Sequence, residues 1–171
     1  MKNLFFTVLI LSSLATASLL AQDKTVSRPG DIGDSEFDNF KNNSFNVLEE
    51  STKLKNDLKT IDDEVKSYSG IMSTIATDKI KGNYKALTGI RKEVESVNAN
   101  ISELDDKGKD MVANAGKVTP KMKSIKATAN TKKSVEGLEI AKGNLKSIND
   151  MLQENSKLLA NELKSRGEPI E

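Results

Sequence analysis

Residues 86–104 read "ALTGIRKEVESVNANISEL", with apolar side chains at Leu87, Ile90, Val94, Val97, Ile101 and Leu104. The steps between them are three, four, three, four and three, which is the spacing of one buried line on a helix. The same line extends in both directions, from Ile80 and Asn83 through Gly108, Met111, Ala115 and Val118. Upstream, a second line runs through Phe37, Phe40, Ser44, Val47, Ser51, Leu54, Leu58, Ile61, Val65, Tyr68, Met72 and Ile75. The two lines are one residue out of step. A continuous helix with a single partner would have to absorb that skip, so the spacing predicts a reversal between Ser69 and Asp78, with Gly70 and a Thr77–Asp78 cap in the window.

A third line comprises Leu138, Ala141, Leu145, Ile148, Leu152, Asn155 and Leu159, with Val135, Met151, Leu158 and Leu163 beside it. Between the second and third lines stands Gly116-Lys117-Val118-Thr119-Pro120, which reads as a helix end followed by a Thr119 cap and Pro120 at the first helical position. Met122, Ile125 and Ala129 nevertheless keep the second line's register, which leaves a later reversal near Ala127–Thr131 as the alternative. Upstream of the first line, Ser35-Glu36-Phe37-Asp38 has the form of a capping box. Downstream of the third, Arg166-Gly167-Glu168-Pro169 stops a helix.

The fold expected is therefore all-α: an elongated, coiled-coil-like antiparallel bundle of three helices over 35–166. The helices should span about 35–75, 78–116 and 120–165, with a tail at 167–171. Intramolecular packing is the expected destination of the 86–104 line, with self-association or a partner helix as the alternative. Ser44, Ser51, Gly108 and Asn155 sit on the lines, where small or polar groups leave space or set register rather than add stability.

Ahead of the bundle, 1–21 carries Lys2, the apolar run "LFFTVLIL" at 4–11 and then small residues. That order predicts a secretory signal peptide, cut after Ala21 or Ala17, in preference to an uncleaved anchor. Residues 22–34, with Pro29-Gly30 and Gly33, are expected to form a flexible leader. No cysteine occurs in the 171 residues, so an exported chain of this composition depends on packing alone and carries no lipid-modified amino-terminal cysteine.

Chemistry is constrained by what is missing. The chain has no histidine, which removes the usual base near neutral pH and the commonest transition-metal ligand. Ser-x-x-Lys, Gly-x-Ser-x-Gly and phosphate-loop patterns do not occur, so no catalytic, cofactor-binding or metal-binding residues are assigned and an enzyme is not expected. The acids Asp62-Asp63-Glu64 and Asp105-Asp106 are adjacent in sequence, point in different directions on a helix, and are read as solvated groups with ordinary pKa values. Asp31, Asp34, Glu36 and Asp38 are read as helix-start charges favoured by the dipole rather than as a calcium loop.

Charge is distributed unevenly. Residues 23–78 hold 7 bases and 12 acids, and residues 79–171 hold 18 bases and 13 acids, which is minus 5 against plus 5. Between 107 and 133, Lys107, Lys109, Lys117, Lys121, Lys123, Lys126, Lys132 and Lys133 face Asp110 alone. These lysines are the candidate surface for an anionic partner, whether an envelope polymer, a lipid headgroup or an acidic protein, unless they lie opposite the acids at 62–64. Nucleic acid is not expected, because the basic stretch lacks interleaved aromatics and arginine is scarce. Together these features predict a non-enzymatic exported spacer or assembly subunit of a bacterial periplasm or cell surface. A lysine-rich adhesin and an amphipathic module that opens onto a membrane are the alternatives.

Overall fold

The computed structural model describes residues 25–170. The expected signal peptide at 1–21 lies outside the described residues. Three helices, α1 (Ser35–Ser67), α2 (Thr77–Asn114) and α3 (Lys121–Ser165), pack against one another, and no strand occurs among the described residues. Short 3-10 turns at Met72–Thr74 and Ala115–Lys117 make the connections. At 1.5 Å per residue the helices are about 50, 57 and 68 Å long.

Cross-helix pairs fix the directions. Asn144 meets Ser51 and Asn155 meets Asp62, so α1 and α3 run the same way in a constant register. Arg91 meets Ser156 and Asp105 meets Lys142, so α2 runs against α3. The 86–104 line faces inward: Leu87, Ile90, Val94, Val97, Ile101 and Leu104 are all buried in the common core with Leu54, Leu58, Leu138, Ile148 and Leu152.

Several local expectations are corrected. α1 stops at Ser67 rather than near 75, because Gly70 adopts a positive φ of 78° that ends the helical path. Met72 and Ile75 still fold back over the core from the 3-10 turn. The α1 cap is Asp34, not Ser35: its carboxylate accepts from the Glu36 and Phe37 N–H groups. Asp38 reaches back in turn to accept from the N–H groups of Ile32, Gly33 and Asp34. α2 starts without a side-chain cap, because Ala76 rather than Thr77 holds the cap position; the Thr77 hydroxyl, one residue on, accepts from Arg166. α3 starts at Lys121, with Pro120 rather than Thr119 in the cap position.

The described part of the leader, 25–34, is extended, as its glycines and proline imply, and it is held against the bundle rather than free of it. Ile32 is buried, Asn130 donates to the Gly30 carbonyl at 2.8 Å, and Lys123 donates to the Gly33 carbonyl. Arg28 pairs with Glu49, bonds Asn46 and lies over the Phe45 ring. Lys41, buried in α1, is paired with Asp31 of the same strap. The strap covers the seam between α1 and α3, and α3 accordingly buries a wider arc than α2 does.

Candidate interaction surface

The polar residues on the core lines pin the helices in register. Ser51 Oγ and Thr52 Oγ1 each accept from the Asn144 amide at 3.2 Å, and Asn155 Nδ2 donates to Asp62 Oδ1 at 3.0 Å. Ser44 donates to the Phe40 carbonyl within its own helix. Space left by Gly108 is taken by the Phe40 ring, whose Cζ would stand 3.3 Å from an added Cβ. Each of these buried amides and the carboxylate finds its partner at only one offset of α1 along α3, because a shift by one turn would leave it unpaired in the core.

Asp62 therefore differs from the solvated acid expected of it. Burial works against its ionisation, yet the Lys66 ammonium at 2.7 Å and the Asn155 amide outweigh that and hold its carboxyl below the ordinary range. Glu64 is lowered as well, chiefly by the Lys79 ammonium and the Asn83 amide. Burial raises the Tyr68 phenol, helped by the Glu64 charge; Asn83 also donates to the phenol oxygen. Close by, the Arg166 guanidinium donates to the carbonyls of Ile75 and Met72 at 2.7 Å each and to Thr77 Oγ1, and pairs with Glu162. Lys81 pairs with Glu168. This end of the bundle, where α1 turns into α2, is closed by charge-assisted bonds.

The register puts the acids at 62–64 at that closed end and the candidate lysines at the other, so the two groups do not neutralise each other. Among the eight lysines, Lys107 pairs with Glu103, Lys109 with Asp106, Lys117 bonds Asn114, and Lys123 bonds the Gly33 carbonyl. Lys121, Lys126, Lys132 and Lys133 are exposed, with no ion-pair partner among the described residues. The structure thus splits the stretch into four tethered lysines and four free ones. The same end exposes the large apolar side chains Val112, Met122 and Ile125.

Sequence reasoning missed Lys41, Asn144 and Arg166. Only Asn144 left a trace, as a neighbour of Leu145 on the third line; Lys41 is paired by Asp31 of the leader, a segment expected to be flexible, and the carbonyls that Arg166 holds lie some 90 residues away in the chain. No described helix is long and apolar enough to cross a membrane. No known protein family, curated protein or solved structure matches the chain.

Proposed function

We propose that the chain is an exported, non-enzymatic helical interaction protein that serves as a spacer or assembly subunit in a bacterial periplasm or at the cell surface. The observation that carries this reading is the register-locked interior. Asn144 and Asn155 pair with α1 at one offset, so the rod holds its length while its two ends differ in chemistry. A spacer needs both properties. Export rests on the order of charge, apolar run and small residues in 1–21. The non-enzymatic reading rests on the lack of histidine and cysteine and on the commitment of the buried carboxylate to a structural pair.

Mild amine-reactive crosslinking of intact cells, followed by mapping of the linked lysines, tests the proposal. Links from one defined face of the rod to the same second protein, or to a second copy at a fixed offset, are the expected result. A chain that gives only links within itself, and that light scattering finds as a monomer, overturns it.

A further inference from the structure

The apolar line of α2 does not stop at the reversal. After Met111, Ala115 and Val118 its spacing continues through Met122, Ile125 and Ala129 of α3. The turn at 115–120 rotates α3 so that Ser124, Ala127, Thr131 and Ser134 face the core instead. The continuation is left outside, with Met122 67% and Ile125 54% exposed and Ala129 exposed as well. At about 100° per residue, Lys121 and Lys132 fall along one edge of this stripe, and Lys126 and Lys133 along the other. These are the four free lysines.

Glu36 and Asp110 line the groove between α1 and α2 with Phe40 and Met111, away from the outer face of α3, and other acids at this end are occupied. Asp34 and Asp38 cap α1, Asp31 pairs with Lys41, and Asp106 holds Lys109. Glu136 follows Ala129 by seven residues and closes the stripe. The placement of the lysines also runs against helix electrostatics. α1 opens with Glu36 and Asp38 and α2 with Asp78, whereas α3 has no acid in its first turn and begins with Lys121 and Lys123. Positive charge at a helix start is disfavoured by the dipole; Lys123 serves the fold by holding the Gly33 carbonyl, but no contact among the described residues accounts for Lys121.

We propose that the outer face of α3 over 121–133 docks on an anionic bilayer surface. The Met122, Ile125 and Ala129 stripe enters the headgroup boundary while Lys121, Lys126, Lys132 and Lys133 meet lipid phosphates. The face is the convex outside of one helix with positive charge along both edges, which complements a surface that is negative on every side. An acidic helix laid on the stripe would meet both edges as well, and the polyglutamate arm of the test below separates that occupant from a bilayer. The bundle stays closed in this arrangement. The proposal adds a lipid contact to the interaction reading above and does not depend on the protein partner sought there; crosslinking reports on the one and vesicles on the other.

The absence of native cysteine allows one probe per molecule. In the full chain, the Ile125→Cys variant carries an environment-sensitive fluorophore on the stripe, and the Ile71→Cys variant carries it at the closed end, where Ile71 is exposed. Each is mixed with vesicles of phosphatidylcholine alone or of phosphatidylcholine with phosphatidylglycerol. The expected result is a blue shift at position 125 only, with the anionic vesicles only, that fades as salt is added. At about five-fold per lysine near a charged surface, Lys121→Gln with Lys126→Gln weakens that binding roughly 30-fold. Both substitutions are at exposed positions, and circular dichroism checks that the helices persist. No shift at 125, equal shifts at both positions, or equal shifts with both lipids overturns the proposal. A shift with polyglutamate and none with vesicles also overturns it, and assigns the surface to an acidic protein.

Discussion

The two ends of the bundle use the same residue types in opposite ways. Where α1 turns into α2, Arg166 is held by Glu162 of its own helix and joins the loop carbonyls some 90 residues away, and Lys79, Glu64, Asn83 and Tyr68 are bonded between α1 and α2. Where α2 turns into α3, four lysines reach into solvent beside Met122 and Ile125. Paired charges at the first end serve the fold, since each bond joins a loop or helix end that would otherwise fray. Free charges beside exposed apolar groups at the second end do nothing for the fold, and such surfaces are where binding is found. Substitutions at the first end should therefore move stability, and those at the second should move only interaction.

The largest effect expected is at Arg166. Arg166→Ala leaves the Met72 and Ile75 carbonyls without their donor and Glu162 without its partner, and should cost about 3 kcal/mol. Urea unfolding should report this as a lower midpoint at unchanged slope. Arg166→Lys should recover only part of the loss, because a single ammonium cannot span two carbonyls and a hydroxyl as the fork does. A change below about 0.5 kcal/mol would show that the closed end is not held as described.

Asp62 comes next. Asp62→Ala strands the Asn155 amide in the core and should cost about 2 kcal/mol, whereas Asp62→Asn keeps an acceptor and should cost about half as much. The pH dependence follows from the lowered carboxyl. Its stabilisation is present in full above the pKa of the unfolded chain, about 4, and is lost as the pH falls through the lower folded value. Wild-type stability should thus decline on acidification below about pH 4, and the Asp62→Asn variant should decline less steeply. Parallel curves from thermal melts across that range would remove Asp62 from the account.

What the sequence made legible divides along the same line. Alternating steps of three and four gave three helices and their buried faces, because a periodic apolar stripe has few other uses. The Gly70 and Gly116–Pro120 signals located both reversals. Partners were not legible: Arg166 meets Met72 and Ile75 across some 90 residues, and nothing local in "KSRGEP" announces it. Caps were misassigned by one residue where two adjacent polar groups, Asp34 and Ser35, compete for the same N–H groups. Asp62 looked solvated because it lies one step beyond Ile61 on the first line, and only the approach of Asn155 from α3 gives that position a buried polar partner. At the lysine end, composition found the patch; the tethers of Lys107, Lys109 and Lys117 are local pairs three or four residues apart that helical spacing already offered, whereas the tether of Lys123 to Gly33 and the outward placement of the four free lysines depend on the rotation of α3. The continuation of the second line through Ile125 was visible in the sequence, and its exposure was not.

The smallest stability effect expected is also the sharpest contrast between the ends. Lys121→Glu puts a negative charge at the start of α3, where the helix dipole favours it, and removes a positive one from among Lys117, Lys123 and Lys126. Thermal melts should show it more stable than wild type by about 0.5 kcal/mol, more clearly at low salt than at high. Natural sequences leave such gains untaken where the residue serves something other than folding. The same substitution should weaken association with anionic vesicles by more than the loss of one lysine, because it adds repulsion. A variant that is both more stable and poorer at docking would identify Lys121 as a residue kept at this end for its contact with a partner. If instead Lys121→Glu is destabilising, the lysine is making a fold contact, and the division of labour between the two ends fails at that position.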